Sequence, residues 1–98
     1  MKVVNTRGYP EISILDNCDF DQIEKYRVIL THKFGAVFKD VLNDFDTVYW
    51  DFTLNDCDLT LHYNVYLGLS IYPKRMNSAS DQENEMIEIL NERLKNWA

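Results

Sequence analysis

Thr47-Val48-Tyr49-Trp50-Asp51-Phe52-Thr53-Leu54, then Asn55-Asp56, then Asp58-Leu59-Thr60-Leu61-His62-Tyr63: along these residues Val48, Trp50, Phe52 and Leu54 alternate with Thr47, Tyr49, Asp51 and Thr53, and Leu59, Leu61 and Tyr63 alternate with Asp58, Thr60 and His62. A period of two places every second side chain on one face, so this is a strand pair with one side buried. Asn55-Asp56 supplies the tight turn, and a two-residue turn sets Phe52 opposite Leu59 and Trp50 opposite Leu61. A third run, Leu67-Gly68-Leu69-Ser70-Ile71-Tyr72, follows the polar break at Asn64. With a three-residue second turn, Leu61 faces Leu69 and Tyr63 faces Leu67, and the apolar residues of all three strands share one side.

Upstream, Glu11-Ile12-Ser13-Ile14-Leu15 alternates and reads as a strand, ended by Asn17-Cys18-Asp19. Asp19 with Gln22 has the form of a capping box, and Phe20, Ile23, Tyr26, Leu30 and Phe34 recur at helical spacing, with Gly35 where a helix C-cap glycine belongs. Ala36 to Leu42 suits an edge strand, although Lys39 and Asp40 each spoil one of its two alternations. Downstream, Pro73 closes the sheet, and Ser80-Asp81-Gln82-Glu83 opens a last helix with the stripe Ile87, Leu90, Leu94 and Trp97. Residues 1–8 read as a polar leader to a single domain spanning 1–98. The order β-α-β-β-β-β-α predicts an α+β fold. Its antiparallel or mixed sheet has about five strands, with both helices packed on one face and the other left to solvent or a partner.

The 98 residues, 46% of them apolar, give enough buriable surface for one core. No run of eighteen apolar residues occurs and the N-terminal basic residues precede no apolar stretch, so neither a membrane span nor a signal peptide is read, and the expected location is cytoplasmic. Cys18 and Cys57 accordingly read as reduced thiols. His32 and His62 lie far apart, each without a second ligand at zinc-motif spacing, so no metal site is read. Glycines stand only at 8, 35 and 68, which excludes a Gly-rich phosphate loop, and there is no nucleophile elbow. Cys57 and His62 point to opposite faces and do not read as a thiolate pair. The acid pairs Asp44/Asp46 and Asp56/Asp58 read as turn formers rather than glycosidase or magnesium carboxylates. The chain therefore reads as a non-enzyme without cofactors.

Charge placement is more informative. Between Lys39 and Lys74 there is no lysine or arginine, and Asp40, Asp44, Asp46, Asp51, Asp56 and Asp58 in that interval equal the whole formal excess of −6. On the polar side of the meander the register makes rows of Tyr49, His62 and Gly68, of Asp51, Thr60 and Ser70, and of Thr53, Asp58 and Tyr72, with a shallow dip where Gly68 faces His62. Tyrosines anchor interfaces and carboxylates steer cationic partners, so Asp44, Asp46, Tyr49, Asp51, Asp56, Asp58, His62 and Tyr72 are the candidate contact residues. Cover of Tyr49, Tyr66 and Tyr72 by the N-terminal segment is the alternative. Direct nucleic-acid binding needs cations that the chain lacks, whereas a basic protein that itself binds nucleic acid fits.

The segments Asp46-Thr47-Val48-Tyr49-Trp50-Asp51-Phe52, Leu59-Thr60-Leu61-His62-Tyr63-Asn64 and Tyr66-Leu67-Gly68-Leu69-Ser70-Ile71 in a small acidic α+β chain resemble the bacterial immunity proteins that neutralise polymorphic or contact-dependent toxins. The chain is also similar to an uncharacterised bacterial family of about this length with a comparable strand-helix-meander order. The likeness covers about residues 12 to 95, rests on generic sheet pattern, and assigns no individual functional residue. It implies a cytoplasmic inhibitor that occludes a cognate, nuclease-type toxin. A non-enzymatic adaptor or regulatory protein, homodimeric through its meander, is the other expectation.

Overall fold

The computed structural model describes residues 1–16, 19–44 and 46–97. At its centre is the hairpin of β4 (Thr47–Leu54) and β5 (Cys57–Asn64), in which Phe52 pairs with Leu59 and Trp50 with Leu61. Asn55 and Asp56 both hold positive φ, 50° and 64°, as a two-residue turn matched to strand twist requires. The strand β6 (Gly68–Pro73) follows, but two residues out of the expected register: Leu61 pairs with Ile71 and Tyr63 with Leu69. The reason is Asn64. It is the last ladder residue rather than part of the loop, and its Oδ1 accepts the amides of Tyr66 and Leu67, so the three-residue loop begins one place later. A shift of two keeps parity, and the apolar side stays buried.

β2 (Glu11–Leu15) pairs with β6, and β1 (Lys2–Val4) pairs with β2, so the stretch read as a polar leader carries a strand of its own. Val3 and Val4 are β-branched and find Ile12 and Glu11 opposite them. β3 (Val37–Asn43) lines the far edge, giving one antiparallel sheet of six strands in the order β1-β2-β6-β5-β4-β3, against the expected five or so. Its confused alternation is explained by a bulge: Phe38 pairs with Phe52 and Val41 with Trp50, which leaves Lys39 and Asp40 together opposite Asp51.

Both helices cover the apolar side. α1 (Asp21–Phe34) contributes Ile23, Tyr26 and Leu30 and α2 (Asp81–Leu94) contributes Met86, Ile87, Leu90 and Leu94 to one core with Ile12, Phe52, Leu59, Leu61 and Ile71. At the α1 C-terminus Gly35 is left-handed (φ 78°), and the Ala36 amide reaches back to the Leu30 carbonyl at 3.0 Å, the expected glycine cap. Its N-terminus departs from the capping-box reading. Phe20 is the cap residue, and Asp19 receives the Gln22 amide through its backbone carbonyl instead of its carboxylate. α2 begins as the sequence implies, with the Glu83 amide donating to Ser80 Oγ at 3.1 Å and the Ser80 amide to Glu83 Oε1 at 3.0 Å. Trp97 lies beyond the helix end, exposed, with the Lys33 ammonium 4.9 Å over its ring. Among the described residues no helix is long and apolar enough to cross a membrane. Cys57 is a buried thiol; the reading for Cys18 and the break at Asn17 lie outside the described residues.

Candidate functional site

The sheet side away from the helices carries no helix but is partly covered by the β1–β2 connection, and its rows differ from the expected ones because β6 is displaced. Tyr49, His62 and Ser70 share one row; Asp51, Thr60 and Tyr72 share the next; Thr53 and Asp58 stand opposite each other. Gly68 faces Asn64, so it is Ser70 and not Gly68 that stands opposite His62.

Two of the candidate contact residues are not presented to a partner at all. His62 is 8% exposed and Tyr72 only 2%. Tyr49 stacks on the His62 ring (4.6 Å, 3°), Tyr72 meets its edge at 5.8 Å, and Tyr9 from the β1–β2 connection lies 6.0 Å from Tyr72. Burial lowers the His62 pKa, so the imidazole is neutral near pH 7, and it raises the Tyr72 phenol far above its ordinary range. The alternative of cover by the N-terminal segment thus holds for Tyr72 through Tyr9, while Tyr66 stays open to solvent.

The carboxylates of this face are partly neutralised from within. Asp51 accepts the Thr60 hydroxyl at 2.7 Å and lies 3.6 Å from Lys74 Nζ. Asp58 accepts Lys39 Nζ at 2.8 Å and the Thr53 hydroxyl at 3.4 Å, and the Lys39 hydrogen bond holds its carboxyl below the ordinary range. Lys39 and Lys74 are the two bases that bracket the acidic interval in sequence, and folding returns both to it. Both pairs are solvent-exposed enough to be worth little in stability, so the double substitution Lys39→Met with Lys74→Met should change unfolding free energy by less than about 1 kcal/mol. It should nevertheless raise the salt dependence of any association with a cationic probe, read by titration at two ionic strengths. A change of several kcal/mol would mean that these pairs hold the sheet together.

Asp56 occupies the β4–β5 turn, at the opposite end of the hairpin from Asp44 and Asp46. Those last two line a groove of about 530 Å³ between the start of α1 and the β3–β4 and β5–β6 loops. Phe20, Val48, Tyr63, Val65 and Tyr66 complete its apolar walls. Phe20 is 56% exposed and meets Tyr63 edge-on at 5.9 Å; Tyr66 is 79% exposed. The rim is fixed by hydrogen bonds: the Asp44 amide donates to the Thr47 carbonyl at 2.8 Å, the Val65 amide to the Asp46 carbonyl at 3.1 Å, and Asn64 Nδ2 to Thr47 Oγ1 at 2.9 Å. Asp19 and Asp21 flank Phe20, and no lysine or arginine lines the groove among the described residues. Phe45 lies outside the described residues.

The structure thus brings Asp44 and Asp46, the latter accepting the Thr47 hydroxyl at 3.3 Å, to one groove, and separates them from Asp51 and Asp58 with their lysines and from Asp56. Phe20 and Tyr66 were missed as site residues. The signal for Tyr66 is the run Val65-Tyr66-Leu67, three apolar residues in a hairpin loop where polar ones are the rule. As for chemistry, the Cys57 thiol is pushed up by burial and donates only a long contact, 3.8 Å, to the Gln82 carbonyl. Among the described residues no group of three or more His, Cys, Asp or Glu side chains is placed to hold a metal ion. Comparison with family models, curated proteins and solved structures gave no match.

Proposed function

We propose that this protein is a non-catalytic inhibitor of the immunity kind, which occludes a basic protein partner by receiving one of its cationic segments in the end groove. The observation that carries this reading is the groove itself, where the exposed rings of Phe20 and Tyr66 stand beside Asp44 and Asp46 and no lysine or arginine is among the described lining residues. Aromatic rings give contact area at low entropy cost, and an arginine or lysine entering between them gains both cation–π and charge-assisted hydrogen bonds. The surrounding aspartates would accelerate encounter and make it salt-sensitive. A nuclease-type toxin offers such a cationic surface, in keeping with the resemblance to immunity proteins, and a cytoplasmic setting follows from that role.

A photo-crosslinking residue at position 66 should couple the protein to a basic partner, which is then purified and titrated. Reversal of charge in Asp44→Lys with Asp46→Lys should weaken that complex by about 100-fold, and Phe20→Ala with Tyr66→Ala by a comparable factor. Co-expression should suppress the partner's toxicity for the native protein only. Equal affinity across all variants removes the groove from the account. A second reading, a self-associating adaptor, is favoured by the uncovered edge of β3, where Val37, Val41 and Leu42 are exposed. The bulge at Lys39-Asp40 works against extended pairing there, which ranks it second. Sedimentation at two concentrations separates them, because only the edge reading requires a dimer of the purified chain.

A further inference from the structure

A second hollow, about 160 Å³, lies on the open face at the other side of His62 from the acidic row. Its origin is legible in the register. Ser13, Ser70, His62 and Tyr49 form one row across four strands, with Val4 opposite Glu11 beside it. The two serines and Gly68 are short, whereas His62 is tall and the β1–β2 connection brings Arg7 over the strands, so a space remains beneath that connection. Arg7, Glu11, Ser13, His62 and Ser70 supply all of its polar lining.

Three observations make this more than a gap. The His62 ring is more than nine-tenths buried, yet its Nε2 has no hydrogen-bond partner. An unpaired buried group of this kind costs about 1–3 kcal/mol, so the sheet bears a cost to keep this ring at the wall of the hollow. The Tyr9 side chain is the main influence raising the Arg7 pKa, and among the described residues Arg7 forms no ion pair with Glu11 although both line the hollow. The two side chains thus border one small cavity without meeting in a direct ion pair, although Glu11 stands close enough to raise the Arg7 pKa. Its volume matches cavities of about 150 Å³ that accept a six-carbon ring.

We infer that the hollow bounded by Arg7, Glu11, Ser13, His62 and Ser70 is a binding site for a small zwitterion of amino-acid size. The ligand carboxylate pairs with Arg7 and its ammonium with Glu11, and the His62 ring walls the space between them. A simple anion gains nothing from Glu11 and a simple cation nothing from Arg7, whereas a molecule carrying both charges meets both side chains. This inference stands apart from the end groove and from the proposed inhibition.

The test is histidine-detected magnetic resonance with the exposed His32 on α1 as internal reference. Protein labelled at histidine is titrated at neutral pH with glycine and L-alanine, and separately with acetate and with methylammonium. A saturable shift at His62 and not at His32 is expected for the zwitterions, with half-saturation of roughly millimolar order for so few atoms. The two half-ligands should require at least about tenfold more, and Arg7→Gln and Glu11→Gln should each weaken glycine binding by at least about tenfold. Arg7 is exposed and Glu11 only half-buried, so both variants keep the fold, checked by unchanged core methyl resonances. No saturable response below about 100 mM, an equal response to acetate, or wild-type affinity in both variants would show that the hollow holds water only.

Discussion

Gly68→Ala should lower stability by about 3 kcal/mol or more, roughly 15 °C in Tm for a domain of this size, read by thermal and urea unfolding. Gly68 opens β6 with φ 93°, a conformation that costs any L side chain. The space for a Cβ is also taken. An added methyl would overlap the Leu15 carbonyl oxygen and lie 2.7 Å and 2.9 Å from the carbonyl carbon and oxygen of Asp16. These are backbone atoms at the end of β2, so relief demands movement of a whole strand. β2 already accommodates β6 through a register shift between Ser13 and Leu15, and has little further freedom. A variant as stable as the native protein would mean that β2 and β6 do not approach as described here. Loss of stability with unchanged groove binding at low temperature is the full expectation, because Tyr66 is anchored by Asn64 rather than by Gly68.

The same residue shows where sequence legibility ends. The β4–β5 hairpin was readable to the residue, since an Asn-Asp pair between two alternating runs fixes both loop length and parity. The partner of Leu61 was not, because a displacement of two residues leaves every apolar side chain on the buried face and alters no pattern visible along the chain. Its consequence falls on the open side, where Tyr72 moves into the row of Asp51 and Thr60 and Gly68 leaves that of His62. β3 illustrates the converse: its broken alternation was visible, and the bulge that causes it has no signature beyond that break.

For the candidate groove, charge counting singled out Asp44 and Asp46 because acids without neighbouring bases stand out in one dimension. It also selected Asp51 and Asp58, because a lysine two strands away in space is many residues away in sequence. Burial of His62 and Tyr72 depended on the β1–β2 connection, which required recognising Lys2–Val4 as a strand. Phe20 escaped because its spacing matches the stripe of α1. As the cap residue it sits beyond the shelter of the sheet, so it carries the stripe's chemistry into solvent.

Glu83→Ala should cost about 3 kcal/mol at neutral pH, again roughly 15 °C in Tm, and the loss should shrink on acidification. Glu83 is 2% exposed and gathers the α2 N-terminus and the β4–β5 turn at one carboxylate. Oε1 accepts the Ser80 amide at 3.0 Å, Oε2 accepts the Asp58 amide at 3.0 Å, and an Arg75 guanidinium nitrogen stands at 3.4 Å from both. Burial is the largest single influence on its pKa and pushes it up. The Ser80 and Asp58 amides with Arg75 together outweigh it and hold the carboxyl below its ordinary value of 4.5. A carboxyl lowered by folding contributes stability that is complete above the unfolded value and disappears as pH falls through the folded one. The difference between native protein and variant should therefore be largest above about pH 5 and decline below it. Glu83→Gln isolates the charge from the geometry, since it retains an acceptor for one amide, and should lose about half as much with a flatter acid limb. An equal deficit at pH 3 and pH 7 in both variants would assign the loss to packing alone. Because the contact lies at the Asp58 end of the hairpin, far from Asp44 and Asp46, neither variant should alter partner affinity below its unfolding transition. Weakened binding there would instead tie the end groove to the helix cap through the hairpin.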